Sequence, residues 1–357
     1  MTIDGIAVRL AGATTVYDAA SRAGIRIPVL CHREGLHPTG SCGICTVEDS
    51  VSGRLLPACA TPPHDAMSIL TASPAALRAR RDAVELLLSN HPADCEAPCQ
   101  LACPSGLPVP QMLEAITEGH WPEASRLARD YPITCGDDAP CEKACRRRPM
   151  GGAVAICVLH RWLSGATPQT ATDRLPPPVP PPARFRSRMP RPDETMMRAL
   201  SAEPGPRRAP ADTTTTGLTR DGASYEAMRC MQCGCRKPDN CRLRELCEEN
   251  SARQSAYAGE YGSMTRGRAG AFRFDAARCV LCGICVRTAQ SRQASIAPTF
   301  QGRGFAARIA PPLGRTWSEI PSEILSACAE ACPTGAMSLA TSADREEQKD
   351  ADRPERV

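Results

Sequence analysis

Aromatic residues make up only 4% of this 357-residue chain. A large aromatic core is therefore excluded, and something other than ring burial has to supply much of the stability. Long apolar runs are lacking too, so no membrane span is expected. The first residues, MTIDGIAVRL, show no basic region followed by an apolar core, which argues against a secretory signal and for a cytoplasmic protein. The net charge of +4 comes from intermixed signs and gives no reason to expect nucleic acid as a partner. No G-x-G-x-x-G follows a strand-like run. The nearest candidate, Gly302 and Gly304 in QGRGFAA, lacks the third glycine, so no flavin or NAD site is expected in this chain. No convincing acid–base pair, nucleophile or substrate pocket is legible either.

Cysteine is what the chain has in excess, 21 residues of it. Cysteine at this density belongs to disulfide-rich secreted domains or to metal proteins. A cytosolic chain keeps its thiols reduced, so metal ligation is the better account. Bound metal also contributes folding energy directly and substitutes for burial in small domains.

The ladder HPADCEAPCQLAC sets the order: His91, Cys95, Cys99 and Cys103, each four residues after the last. Cys135, Cys141, Cys145 and Cys157 follow and bring the soft ligands of this region to eight, enough for two four-coordinate clusters. Upstream stand Cys31, Cys42, Cys45 and Cys59, with Gly40 and Gly43 beside the central pair. Glycine there lets the backbone wrap closely and aim N–H groups at sulfur. Downstream are Cys230, Cys233, Cys235 and Cys241, then Cys279, Cys282 and Cys285 at C-x2-C-x2-C with a distant Cys332 followed by proline. Ala289 occupies the place where a two-cluster ferredoxin has a further cysteine. With Cys247 and Cys328 set aside, the other cysteines and His91 fill five sites of four ligands.

Local signals place these groups on small supports. Val16 to Ala23 reads as a helix stopped by Gly24, and Ser73-Pro74 as the start of another. In that second helix Leu77, Val84, Leu87 and Leu88 form the apolar stripe, with Arg78, Arg80, Arg81 and Glu85 mostly elsewhere. The prolines between Pro168 and Pro210 and the run Thr213 to Thr216 read as a linker, made basic by Arg184, Arg186, Arg188, Arg191, Arg207 and Arg208. The charged tail SADREEQKDADRPERV is expected to be disordered.

Several of these stretches resemble known families. LCHREGLHPTGSCGICTVE resembles the [2Fe–2S] ferredoxin domain that opens the large iron–sulfur subunit of respiratory complex I and the iron-only hydrogenases. That resemblance implies a β-grasp fold with Cys31, Cys42, Cys45 and Cys59 as ligands. NHPADC also resembles complex I, where a histidine opens a cluster held by one histidine and three cysteines. CPSGLPVPQMLEAITEGHWPEASRLARDYP and VAICVLHRW resemble instead the helical double-[4Fe–4S] domain of the glutamate synthase small subunit and of dihydropyrimidine dehydrogenase. By that resemblance one cluster takes His91, Cys95, Cys99 and Cys145, and the other takes Cys103, Cys135, Cys141 and Cys157. EAMRCMQCGC resembles the cysteine-rich tail of some glutamate-synthase-like flavoproteins, with a [4Fe–4S] cluster or zinc on Cys230, Cys233, Cys235 and Cys241. FRFDAARCVLCGICVRTAQ with ACPTGAM resembles the [4Fe–4S] site that follows the histidine-ligated cluster in complex I.

The expected architecture is α+β and multidomain. A β-grasp [2Fe–2S] domain covers 1–72 and a helical double-[4Fe–4S] domain 73–165. A Pro-rich linker (166–222), a Cys-rich module (223–255), a ferredoxin-like [4Fe–4S] domain (256–345) and a tail (346–357) complete it. The expected function is electron transfer through one [2Fe–2S] and three to four [4Fe–4S] clusters, as the wire subunit of a larger oxidoreductase. Catalysis would sit on partners: a flavin- and NADH-binding subunit, and a hydrogenase or formate dehydrogenase subunit. The alternative is a glutamate-synthase-like component working with a separate flavoprotein.

Overall fold

The structure is a computed structural model that describes residues 1–165, 184–189, 217–259 and 265–340. The chain divides into two compact units, one made of Met1–Pro92 with Asp239–Ala340, the other of Ala93–Pro238. Mixed α and β content with several sheets bears out the α+β expectation. The tail and most of the Pro-rich stretch lie outside the described residues.

The first unit opens with β1 (Thr2–Ile3), β2 (Ile6–Ala7) and helix α1 (Val16–Arg22). Thr15 caps α1 in a full capping box: its hydroxyl accepts from Asp18 N–H, and the Asp18 carboxylate accepts from Thr15 N–H, both at 3.1 Å. Strands β3 (Thr46–Asp49), β4 (Arg54–Pro57) and β5 (Ser68–Leu70) complete a five-stranded sheet in the order β2-β1-β5-β3-β4. β1 runs parallel to β5, and the other pairings are antiparallel. Ile3, Val47 and Ile69 from the sheet meet Val16, Ala19 and Ala20 of α1 in a core that also takes in Cys45 and Cys59.

Helix α2 (Pro74–Ser89) begins with proline in its first turn and Ser73 as N-cap, whose hydroxyl accepts from Ala76 N–H. Its buried face differs from the apolar stripe read in the sequence. Val84 and Leu88 are buried as expected, but Leu77 is 47% exposed while Arg80 and Glu85 are buried. Specific backbone partners explain the reversal: Arg80 donates to the Thr46 carbonyl at 2.8 Å, and Glu85 accepts from Arg253 N–H at 2.9 Å.

The second unit is helical in its described residues: α3 (Pro98–Ala102), α4 (Val109–Thr117), α5 (Trp121–Asp130), α6 (Pro140–Lys143), α7 (Ile156–Ser164) and α8 (Arg220–Met228). Met112, Leu113, Ile116, Leu127, Ile156 and Leu159 dominate its core. Trp121 and Trp162 meet edge to face at 5.8 Å. A buried ion pair, Glu226 to Arg229 at 2.7 Å with both side chains at 0% exposure, anchors the end of α8. Arg229 also donates to the carbonyls of Gly151, Gly152 and Ala153, and Glu226 accepts from Ala155 N–H. Every charge buried there therefore has partners.

Part of the stretch read as linker is packed. Cys95 N–H donates to the Ser187 carbonyl at 3.2 Å, and Met189 N–H donates to Asp94 at 3.0 Å. α8 begins at Arg220, capped by Thr219, so the helix starts earlier than residue 223.

The rest of the first unit holds α9 (Arg242–Glu249), strands β6 (Arg266–Ala269) and β7 (Phe272–Asp275), and helix α10 (Ile284–Ser291). After these come β8 (Thr299–Gln301), β9 (Arg308–Ala310), α11 (Ser322–Ala331) and β10 (Met337–Leu339). β10, β7 and β6 make a three-stranded antiparallel sheet, and β8 pairs with β9. Phe272, Phe274, Ile324, Leu325 and Met337 form the core against which the last cysteines pack.

Candidate metal centres

In the first unit, Cys42 and Cys45 lie on the loop that enters β3, Cys59 follows β4, and Cys31 ends the extended run after α1. Their thiols hydrogen-bond one another, Cys31 with Cys42 and Cys59, and Cys45 with Cys59. The bonds from Cys42 and Cys59 hold the Cys31 thiol well below its ordinary range. The bond from Cys59 brings Cys45 down to about 7. The same bonds, with burial, push Cys42 and Cys59 up. Each of the four thiols influences at least one other, which places them as neighbours able to share a centre, and metal binding would require all four as thiolates. The loop reaches this geometry at Gly40 and Gly43, both at positive φ (62° and 71°). A Cβ at either would come within 3.1 Å of Ala60 or 3.2 Å of Ala83.

The second quartet of this unit is Cys279, Cys282, Cys285 and Cys332. Burial pushes Cys279 and Cys282 up to about 12, and Cys285 rises well above its ordinary value for the same reason, with the neighbouring sulfurs adding to it. All four line one small pocket walled by Phe274, Ile309 and Met337. Cys332 caps the end of α11. Cys328, fully buried, donates its S–H to the Cys285 carbonyl at 3.3 Å and does not line the pocket.

In the second unit the cysteines regroup relative to the sequence reading. Cys99 feels Cys230, Cys233 and Cys145 electrostatically, and burial, its main influence, raises its thiol well above the ordinary value. Those four line a pocket with Val109, Leu113 and Ile156. Cys230 and Cys233 are thus set beside Cys99 and Cys145. Of the group Cys230, Cys233, Cys235 and Cys241 expected from spacing, Cys241 falls in the first unit and the other three in the second.

Four further cysteines of this unit gather on one core. Cys141 and Cys157 sulfurs are 3.6 Å apart, Cys135 hydrogen-bonds Cys157, and Cys103 packs on the same core. Cys157 N–H donates to Glu142 at 3.0 Å, which fixes the first turn of α7 where this cysteine sits.

Cys95 and Cys235 approach through their backbones, Cys235 N–H donating to the Cys95 carbonyl at 3.0 Å. Sequence reasoning missed Ser187, whose N–H donates to the Cys95 sulfur at 3.3 Å and whose hydroxyl lies 3.2 Å from it. Only the Ser in a basic, Pro-flanked run signalled it. His91 belongs to the first unit with Cys241 and Cys247. Burial, with Arg278 adding to it, takes His91 down to about 4, so the imidazole is neutral at pH 7, the form that ligates metal. Its Nδ1 has no hydrogen-bond partner among the described residues.

Among the described residues no three of His, Cys, Asp and Glu converge on a single-ion position. The pockets bring four cysteine sulfurs each among largely apolar walls, with Arg146 and Arg147 also lining one and Thr334 the other, and thiolate sulfur is the donor set that suits iron–sulfur clusters. No helix among the described residues is long and apolar enough to cross a membrane.

Comparison with known proteins agrees with this chemistry. Residues 1–74 match the family model described as a 2Fe-2S iron–sulfur cluster binding domain. Residues 89–171 match dihydropyrimidine dehydrogenase domain II, 4Fe-4S cluster. The chain is 35% identical over 172 residues to the NADPH-Fe(3+) oxidoreductase subunit alpha of Geobacter sulfurreducens, covering 45% of this chain and 20% of that protein. It is 39% identical over 93 residues to the NADH-ubiquinone oxidoreductase 75 kDa subunit of Reclinomonas americana, covering 26% of this chain and 14% of the other. The chain therefore spans a fifth or less of the length of these relatives. Its fold is similar to that of a chain in the crystal structure of an NAD+-reducing [NiFe]-hydrogenase. The TM-score is 0.50 at 17% identity, covering 96% of this chain and 87% of that one. By its domains, this is an iron–sulfur protein in which a 2Fe-2S domain is followed by a 4Fe-4S domain of dihydropyrimidine dehydrogenase type.

Proposed function

We propose that this chain is the electron-transfer subunit of a larger oxidoreductase, holding one [2Fe–2S] cluster and at least three [4Fe–4S] clusters. The observation that supports the reading is the gathering of cysteines: Cys279, Cys282, Cys285 and Cys332 line one pocket, Cys99, Cys145, Cys230 and Cys233 another, and Cys31, Cys42, Cys45 and Cys59 influence one another's thiols. Cys31, Cys42, Cys45 and Cys59 would hold the [2Fe–2S] cluster. The three [4Fe–4S] sites would use Cys279, Cys282, Cys285 and Cys332, then Cys99, Cys145, Cys230 and Cys233, then Cys103, Cys135, Cys141 and Cys157. When bound, these groups supply one-electron transfer at potentials set by ligand type, hydrogen bonds and burial. The protein's own part is to exclude water with Phe274, Ile309 and Met337 in one pocket and Val109, Leu113 and Ile156 in another. Thr39, donating to Cys31 at 3.8 Å, and Ser187, donating to Cys95, lend hydrogen bonds to sulfur. Partners would be a flavin- and NADH-binding subunit and a hydrogenase or formate dehydrogenase subunit. The 4Fe-4S match over 89–171 also supports a second reading, a glutamate-synthase-like component that works with a separate flavoprotein.

The test is an iron, acid-labile sulfide and zinc assay on anaerobically purified protein, with EPR during stepwise reduction. About fourteen iron per chain is expected from the four quartets, and about eighteen if one further cluster is held. Little iron after anaerobic reconstitution, with several zinc, would sink the reading.

A further inference from the structure

One side chain of the first unit touches both of its cysteine quartets. Arg287 lies on α10, two residues after Cys285. Its Nη2 donates to the Cys31 carbonyl at 2.6 Å and to the Cys282 carbonyl at 3.2 Å, and its Nη1 donates to the His37 carbonyl at 2.8 Å. The three acceptors come from two loops roughly 250 residues apart in sequence, one between Cys31 and Cys42, the other the C-x2-C-x2-C turn. Guanidinium is suited to this task. It presents five N–H donors in a rigid fork, whereas lysine offers one rotating ammonium.

The charge matters as well as the fork. Arg287 makes no ion pair among the described residues, and its Nε has no partner there. Its positive charge is therefore offset only by carbonyl dipoles. The Cys282 sulfur lies within electrostatic reach of both the Cys31 sulfur and this guanidinium. A fixed cation beside two sites favours whichever state of each carries more negative charge, which is the reduced state.

We propose that Arg287 is a positioning residue that clamps the Cys31 loop to the Cys282 turn, sets the separation of the two centres and raises the potentials of both together. This rests on the reading of the two quartets as [2Fe–2S] and [4Fe–4S] sites. Each centre gains one electron on reduction, and no other chemistry is invoked.

The experiment uses the full chain, reconstituted anaerobically with iron and sulfide, as wild type, Arg287→Lys and Arg287→Gln. Dithionite reduction followed by EPR gives the two midpoint potentials and the magnetic interaction between the reduced centres, with iron content and circular dichroism as the check on folding. Arg287→Gln is expected to shift both potentials negative and to weaken the interaction. Arg287→Lys is expected to keep both potentials near wild type while weakening the interaction, because charge survives and the fork does not. A wild-type interaction retained in Arg287→Lys would overturn the clamp, even if Arg287→Gln failed to fold. A potential shift confined to the [4Fe–4S] centre in Arg287→Gln would overturn the joint effect. Wild-type protein lacking either EPR signal would count against the cluster reading itself, a separate failure visible before any variant is made.

Discussion

The two units gather their cysteines in different ways. In the first, Cys31, Cys42, Cys45 and Cys59 come from one short region, and Cys279, Cys282 and Cys285 from one turn with Cys332 capping a nearby helix. In the second, Cys99, Cys145, Cys230 and Cys233 come from three segments far apart in the chain. A local quartet sits on an element that a sheet already supports. A dispersed quartet is itself the tie between elements, so the centre and the fold should fail together.

The largest test of that contrast is to remove one ligand on each side. Cys230→Ala is expected to lose about four iron per chain and, with it, much of the helical far-UV signal. Cys42→Ala is expected to lose about two iron and leave the helical signal nearly intact. Similar circular dichroism for the two variants would erase the distinction.

Next in size is the buried pair of the second unit. Glu226→Gln leaves Arg229 charged at 0% exposure and should cost about 3–5 kcal/mol in urea unfolding, without changing the ligands themselves. A loss under about 1 kcal/mol would mean that the carbonyls of Gly151, Gly152 and Ala153 suffice to hold Arg229.

The smallest effect falls on the first unit and depends on pH. Burial holds His91 at about 4, below its ordinary 6.5, so on acidification the unfolded chain takes up this proton before the folded chain does. In metal-free protein the stability due to His91 is full above about 6.5 and is lost as pH falls towards about 4, about 3 kcal/mol in all. His91→Gln should flatten that dependence, and an unchanged acid profile would show that His91 is not its source.

Legibility followed the same divide. In the first unit Cys42 with Cys45, and Cys279 with Cys282 and Cys285, could be grouped from spacing, because a short loop places neighbours together, whereas distant Cys332 was joined to its group by the proline that follows it and by resemblance. Thr15, Ser73 and Pro74 announced the helix starts, because a cap acts on backbone groups three residues away. The pairing of Cys230 and Cys233 with Cys99 and Cys145 was not legible, since spacing says nothing about contacts made across a hundred residues of chain. The reversal on α2, with Leu77 out and Arg80 and Glu85 in, was hidden for the same reason: their partners Thr46 and Arg253 are remote in sequence. The packing of residues 184–189 against Ala93 to Glu96 was masked by composition, which reads only as proline and arginine.

The second unit interrupts the first, with chain departure after Pro92 and return at Asp239. On a ribosome this order has a consequence. The inserted segment Ala93–Pro238, with the cysteines it carries, has been made before the second half of its host, Asp239–Ala340, begins. The five-stranded sheet and its quartet are also finished early, but Cys279 to Cys332 emerge last and must find a partner surface laid down some 200 residues before. Closing so long a loop is entropically expensive unless the insertion has already drawn its ends together. Assembly of the insertion is thus expected to precede closure of the host, which makes the C-x2-C-x2-C turn and Cys332 the last commitment of the chain.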